Sequence, residues 1–208
     1  RPSIHATRPG ESGGNLSGFR LDGQDESGQL TIDLPSAATN GRLMLAIVGP
    51  DDTHTFTDLD GFTSRLAQSV GPASDYLLVA SKEASSEGTQ YVFTRNGGNE
   101  GWAGGMLEFS GANNSDPILT ESSVNTGTVN ATGSVPATCP ALTAQSSDSK
   151  IVRIWMFNAL STAAWKNIDG GSSSSVSADA DEVGRLRSSQ EGVILYVSDS
   201  PGSGVTTG

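Results

Sequence analysis

The sequence predicts an all-β fold, an antiparallel β-sandwich or jelly roll of about ten short strands. The apolar runs are short, they alternate mostly with a period of two, and Gly, Pro, Asn, Asp or Ser bounds each of them. The composition agrees, with 30 serines, 18 threonines and 26 glycines but only 17% charged and 35% hydrophobic residues. Helical bundles have a different, Ala/Glu/Lys/Leu-rich composition. A length of 208 residues suits one domain with a sizeable core.

The first half of the chain contains regular strand patterns. Gln29–Leu34 alternates apolar and polar residues, which predicts a strand with one buried face. Asn40-Gly41 is a turn signal, and Arg42–Val48 after it is apolar on both faces, as expected of a central strand. The same patterning predicts further strands at Ser64–Val70, Tyr76–Lys82, Gln90–Thr94 and Gly105–Ser110.

The second half contains the strongest strand pattern, Lys150–Phe157 (KIVRIWMF). Gly184–Ser188 and Gly192–Ser198 are predicted strands as well, whereas the prolines within Val135–Leu142 make that segment a weak edge strand. Asn158–Lys166 is the one helix candidate. The Ser-rich segment at residues 169–181 is expected to form a mobile loop.

Residues 1–17 have no periodic pattern and are expected to form a flexible N-terminal arm or linker. Residues 18–208 are then a single β-sandwich domain, which contains the Ser-rich loop.

A faint internal repeat relates the two halves of the domain. RLMLAIVG, SRLAQSV and DYLLVASK in the first half correspond to KIVRIWMF, GRLRSS and GVILYVSD in the second. The first half continues into YVFTRNGGNEGWAGGMLEFS, for which the second half has no counterpart. We therefore expect the chain to extend past Gly208, or another chain to supply the missing strands.

Charge and cysteine content restrict the classes of partner. The formal net charge is −11, and only three of the 12 basic residues are lysines, which argues against nucleic acid or an anionic membrane as a partner. The longest apolar runs have about eight residues, too few to span a bilayer. The single cysteine, Cys139, can form neither an intrachain disulfide nor a thiolate metal site.

Three sets of residues could carry chemistry. His54 follows a strand and could join one of the many serines, but the sequence has no nucleophile elbow. Glu100 and Glu108 flank Trp102, an arrangement compatible with glycoside hydrolysis. Glu108 lies between Leu107 and Phe109 on a predicted strand, so it is expected to face solvent as the polar half of the alternation. Acidic loops could contribute calcium ligands, although none has the EF-hand pattern. These loops are Asp22–Glu26, Asp58–Gly61 and Asp179–Glu182. Ordinary surface and turn residues explain each set more simply, so we predict no enzyme, no cofactor and no metal site.

The tryptophans are the candidate binding residues. Trp155 lies within a strongly apolar strand and is expected in the core. Trp102 follows a Gly-rich turn and is expected either to cap the core or to contribute to binding. Trp165 lies next to the Ser-rich loop, where an exposed indole could stack on a sugar ring or anchor a protein contact.

The order of the patterned segments is similar to that of a β-sandwich module found in bacteriophage structural proteins and in some bacterial surface proteins. The most characteristic segment is GGMLEFSGANNSDPI, and GRLMLAIVG, DYLLVASKEA, SKIVRIWMFN and GVILYVSD also contribute to the likeness. The resemblance covers about Gln29 to Gly208. It implies a β-sandwich in which two more strands follow, a location in the virion or at a surface, and no enzyme activity. It carries over no functional residues.

The resemblance favours a virion surface protein, such as a head decoration protein, a head fibre or a tail-fibre module. Its expected partners are other virion proteins and copies of itself, with host surface glycan as a further partner through its loops. The alternative is a secreted carbohydrate-binding or adhesive module of a bacterial cell-surface protein. A polysaccharide-degrading enzyme is a third reading.

Overall fold

A computed structural model describes residues 3–6, 15–24, 28–50, 55–70, 75–96, 102–112, 120–121, 142–143, 150–158, 181–187, 193–201 and 206–207. All regular secondary structure in these residues is β-strand, and every strand pair is antiparallel. The predicted all-β antiparallel sandwich is thus confirmed. The strands are β1 Ser3–Ala6, β2 Asn15–Gln24, β3 Gln29–Asp33, β4 Leu43–Pro50, β5 Phe56–Asp58, β6 Thr63–Val70, β7 Asp75–Glu83, β8 Gln90–Arg95, β9 Trp102–Ser110, β10 Thr120–Glu121, β11 Leu142–Thr143, β12 Lys150–Asn158, β13 Asp181–Arg187, β14 Val193–Pro201 and β15 Thr206–Thr207.

The strands form three layers and a short two-stranded ladder. The central sheet has the order β2-β9-β4-β7-β6, and the small sheet has the order β3-β8-β5. The C-terminal sheet has the order β10-β1-β12-β14-β13, and β11 pairs with β15. Each of the two larger sheets combines strands from distant parts of the chain.

Strand β4 lies at the centre of the molecule because its residues are apolar on both faces. All eight of its residues are buried. Leu43, Leu45 and Ile47 belong to one core cluster, and the alternate residues belong to a second. This alternation is the strand period of two, and it confirms the expected central strand.

The two core clusters place the other sheets on opposite faces of the central sheet. The first cluster includes Val152 and Ile154 of β12, so the C-terminal sheet covers one face. The second cluster includes Leu30 and Ile32 of β3 with Tyr91 and Phe93 of β8, so the small sheet covers the other face. Burying a Leu, Ile or Phe side chain contributes about 1.5–3 kcal/mol, so both interfaces stabilise the fold.

A tight turn before β4 is bonded to the end of the neighbouring strand β7. Asn40 and Gly41 form the predicted turn before β4, and Gly41 adopts a φ of 78° that favours glycine. The Gly41 amide donates a hydrogen bond of 2.8 Å to the Ala84 carbonyl, which ties this turn to the end of β7.

The predicted strands that correspond to β3, β4, β6, β7, β8, β9, β12, β13 and β14 are confirmed.

Some predictions differ from the structure or lie outside it. The number of about ten strands is not confirmed, because the described residues contain fifteen strand segments, three of them only two residues long. Within the predicted arm at residues 1–17, Ser3–Ala6 forms β1 and β2 begins at Asn15. The domain boundary at residue 17 stays a prediction. The helix candidate after Asn158 and the Ser-rich segment before Asp181 lie outside the described residues.

The internal repeat corresponds to two units with the same strand order. The ladder β4-β7-β6 of the central sheet matches the ladder β12-β14-β13 of the C-terminal sheet. The pair Met44↔Lys82 in the first unit corresponds, through the aligned segments, to Val152↔Asp199 in the second, which is the register observed. The two units therefore share their strand order, and the ladders β4-β7 and β12-β14 share their register.

Candidate functional site

The second core cluster has a polar end and an aromatic end, and these contain the candidate functional residues with described side chains. We call Asp60, Lys82, Glu87, Tyr91 and Glu108 the acidic end, and Phe56, Tyr76, Arg95 and Trp102 the aromatic end. Strand pairing places Lys82 and Glu108 on either side of Met44, on the face of the central sheet that the small sheet covers.

At the acidic end, the Lys82 ammonium group pairs with the Glu87 carboxylate. Lys82 Nζ lies 2.9 Å from Glu87 Oε2, and it lies over the rings of Phe62 and Tyr91 at 5.7 and 5.8 Å from their centroids. Contacts between a cation and the face of an aromatic ring are attractive. Glu87 therefore has an internal cation as its partner.

Two pKa shifts result from this arrangement. Burial raises the pKa of Glu87, but the hydrogen bonds from Lys82 and the Ser85 amide and the Lys82 charge outweigh it, so the pKa of Glu87 lies below its ordinary value. Burial and the nearby Glu87 carboxylate raise the pKa of Tyr91 above its ordinary value. Tyr91 stays protonated, with its hydroxyl 3.4 Å from Met44 Sδ.

Glu108, one of the two carboxylates proposed for glycoside chemistry, makes structural contacts. Arg42 Nη1 and the Thr39 amide donate hydrogen bonds of 3.0 and 3.1 Å to Glu108 Oε1. We expected Glu108 to face solvent as the polar half of an alternating strand. That expectation is wrong, because the small sheet covers this face and the Glu108 side chain is only 20% exposed. Glu100 lies outside the described residues.

The acidic loop at Asp58–Gly61 is a backbone turn. Asp60 has a φ of 53°, its amide donates a hydrogen bond of 2.9 Å to Asp58 Oδ1, and its own Oδ2 accepts one of 2.9 Å from the Val92 amide. Aspartate favours such turns because its short side chain bonds the local backbone. Among the described residues, no group of His, Cys, Asp or Glu is arranged to hold a metal ion.

At the aromatic end, Trp102 is the first residue of β9 and is fully buried. The Arg95 guanidinium carbon lies 5.4 Å from the centroid of the Trp102 ring, and the Phe56 ring lies 6.2 Å from it. Tyr76 and Phe56 are half-buried, with ring centroids 6.1 Å apart. Trp102 thus caps the core, and Phe56 and Tyr76 present the partly exposed aromatic surface.

Two further sequence candidates lie outside the described residues. These are Trp165, the second candidate binding residue, and His54. The sequence analysis missed Lys82 and Arg95, whose positions beside aromatic rings depend on strands far apart in the chain. Their one sequence signal is a basic residue near the end of a strand that contains several apolar residues.

The edge strand β6 is a candidate surface for assembly. It lies at the end of the central sheet, and five of its eight residues are exposed, small or polar residues without charge: Thr63, Ser64, Ala67, Gln68 and Ser69. A register shift between Ser64 and Leu66 marks a bulge, and Arg65 Nε donates a hydrogen bond of 2.7 Å to Ser81 Oγ on β7. A bulge twists an edge and limits pairing there, so the regular part of the edge starts at Leu66.

Comparisons with family models, curated proteins and solved structures find no match to this chain. In the described part of the chain, no helix is long and apolar enough to span a membrane.

Proposed function

We propose that the chain is a non-enzymatic surface structural protein of a bacteriophage virion, of the head decoration, head fibre or tail-fibre type. It assembles through protein contacts with other virion proteins and with copies of itself, and host glycan is a further partner. The observation that carries the proposal is the edge strand β6, whose regular part from Leu66 to Val70 has no charged residue and can accept an extended strand.

Two further features support a structural role. The described side chains that most resemble catalytic groups are tied into the fold, since Glu108 binds Arg42 and Glu87 binds Lys82. The segments that resemble the phage module, GRLMLAIVG and GGMLEFS, form the two central strands β4 and β9. The acidic, lysine-poor composition favours protein partners over nucleic acid.

Density-gradient fractionation of the native source, with mass spectrometry of each fraction, tests the proposal. A virion component sediments with particles at a fixed ratio to a capsid or tail protein. Recovery only as free protein, or with cell envelopes, would count against it.

Charge substitution tests the role of the β6 edge within that experiment. Gln68→Lys places a charge on the exposed edge and is expected to reduce incorporation into particles, because a charged edge strand disfavours strand addition. Thr89→Lys adds the same charge at an exposed position away from this edge and is the matched control. Equal incorporation of both variants would exclude β6 as the assembly edge.

The second candidate is a secreted carbohydrate-binding or adhesive module of a bacterial surface protein. The half-buried pair Phe56 and Tyr76 favours it, because partly exposed aromatic rings stack on sugars. A glycan array tests it: Tyr76→Ala and Trp165→Ala are expected to abolish binding if the module recognises glycan. The absence of any binding by the unmodified protein would remove this candidate.

A further inference from the structure

The second repeat unit obtains one of its strands from the opposite end of the chain. In the first unit, β4 pairs with β7 on one side and with β9 on the other. In the second unit, β12 pairs with β14 on the corresponding side, and the position equivalent to β9 is occupied by β1. The short strand β1, at Ser3–Ala6, therefore completes a sheet whose long strands β12, β13 and β14 lie beyond residue 149.

This added strand is held over a short length. Strand β9 pairs with eight residues of β4, from Leu43↔Phe109 to Pro50↔Trp102. Strand β1 pairs with four residues of β12, from Ser3↔Arg153 to Ala6↔Lys150. Strands held by few backbone pairs open at a low free energy compared with the core of a fold. The position beside β12 is thus filled by a strand that can leave and return.

The connection to the rest of the chain also suits exchange. Eight residues, TRPGESGG, separate β1 from β2, which belongs to a different sheet. Such a segment spans at most about 29 Å when fully extended. A copy of β1 from a second molecule can make the same backbone pairs with β12 and β10, so the two arrangements differ only in the path of this connection.

Bulges interrupt two of the sheet edges, so strand insertion is a second way to join copies besides pairing at the regular part of β6. The edge strand β6 has its register shift between Ser64 and Leu66, and the edge strand β13 has one between Glu182 and Gly184. Bulges at edges reduce direct edge-to-edge pairing between molecules. Strand β1 instead enters between β10 and β12, inside the C-terminal sheet, where both of its sides are paired.

We propose that β1 exchanges between copies, so that Ser3–Ala6 of one molecule pairs with Lys150–Arg153 of a second molecule. This inference rests on the proposed role in assembly with copies of the same chain, and it names the strand and the acceptor that join them. Because exchange is a mass-action equilibrium, the exchanged fraction rises with protein concentration.

Disulfide trapping in the full-length purified protein tests the exchange. Two variants, Ser3→Cys and Arg153→Cys, are made in a Cys139→Ser background, because positions 3 and 153 are register partners. The two proteins are mixed, unfolded and refolded together at high concentration, and then oxidised. Exchange gives a covalent heterodimer on a non-reducing gel, and peptide mass spectrometry identifies its 3–153 linkage.

A second pair of variants serves as the matched control. The control variants are Asp33→Cys and Gln90→Cys. Positions 33 and 90 are register partners on β3 and β8, and Gln90 Nε2 donates a hydrogen bond of 2.9 Å to Asp33 Oδ1 within one chain. Exchange predicts several-fold more heterodimer from the 3/153 mixture than from the 33/90 mixture. The double variant Ser3→Cys/Arg153→Cys should also shift from intrachain to interchain disulfides as its concentration rises.

Two results would overturn the proposal. One is an equal yield of heterodimer from the 3/153 and 33/90 mixtures, together with only intrachain 3–153 disulfides in the double variant at every concentration. The other is the absence of any 3–153 disulfide in the double variant, which would contradict the pairing itself. Neither result depends on virion sedimentation, so failure of the exchange and failure of the proposed function are separate outcomes.

Discussion

Gly104 on β9 lies where the small sheet packs on the central sheet, and its replacement by alanine tests that packing. An added Cβ would overlap Leu30 Cδ2 and lie 3.2 Å from the Ile47 carbonyl oxygen. Leu30 is fully buried in the second core cluster, so its side chain has no open space to move into. Overpacking of a filled core costs about 1–3 kcal/mol.

The expected net effect of Gly104→Ala is smaller than the full overpacking term. Replacing glycine by alanine also lowers the entropy of the unfolded chain, which offsets roughly 0.4–1 kcal/mol. We therefore expect the free energy of unfolding to fall by about 1–2 kcal/mol, which follows from combining these two terms. Urea unfolding monitored by circular dichroism measures this difference, provided that the slope with urea stays unchanged.

A double-mutant cycle shows whether Leu30 is the cause. Leu30→Ala alone is expected to cost about 2–5 kcal/mol through the cavity it leaves. In the double variant, the Cβ of residue 104 fills part of that cavity, so the combined loss should be smaller than the sum by about 0.5–3 kcal/mol. Gly88→Ala, with only the Gln90 amide at 4.0 Å from its Cβ, is the control and should be near neutral. Additive losses at positions 30 and 104 would refute the packing of the small sheet on β9.

Three further predictions concern the two ends of the second core cluster. Because the pKa of Glu87 is lowered, its charged form stabilises the fold above the ordinary glutamate pKa, and this contribution is lost as the pH falls. Tm measured from neutral to acidic pH should therefore fall less steeply for Glu87→Gln than for the wild type, and equal slopes would contradict the role of Glu87. Trp102→Ala should lower the free energy of unfolding by about 3–5 kcal/mol if the residue caps the core, whereas a loss below about 0.5 kcal/mol in the same urea assay would contradict that role. Glu108→Ala should lower it by about 1 kcal/mol, since its ion pair with Arg42 is partly exposed, and a stability equal to that of the wild type would show that this contact is dispensable.

Strands with a long apolar pattern could be located from the sequence, including β6 and β13, whose bulges lie near one end. Strands whose pattern is interrupted or very short could not. Strand β4 is apolar on both faces and was located to within two residues at each end. Strand β2 was missed, because register shifts between Leu16 and Gly18 and between Leu21 and Gln24 interrupt its alternation. Strand β5 was missed for the same reason, with a shift between Phe56 and Asp58 in a segment of three residues.

The candidate site was less predictable, because burial there is decided by residues that are distant in sequence. Trp102 is enclosed by Arg95 and Phe56, which come from two strands of the small sheet. Glu108 was expected to face solvent, since a polar residue between two apolar ones usually does. No local pattern reveals that a further sheet covers that face, or that Thr39 and Arg42 before β4 donate hydrogen bonds to the carboxylate.

The internal repeat shows which parts of the fold the two units share and where they diverge. The ladders β4-β7 and β12-β14 agree in register at every aligned pair from Leu43↔Glu83 and Ile151↔Ser200 onward. Their edge strands agree at Ser64↔Ala80 and Gly184↔Val197 and then differ by one residue, because the bulges occupy different positions. The two units have few identical residues, yet their strand register agrees. A slip of one residue would reverse the faces of a strand, so the shared register supports a true repeat. The divergence is therefore concentrated outside the shared ladder, at the bulged edges and at the position where β9 serves the first unit and β1 serves the second.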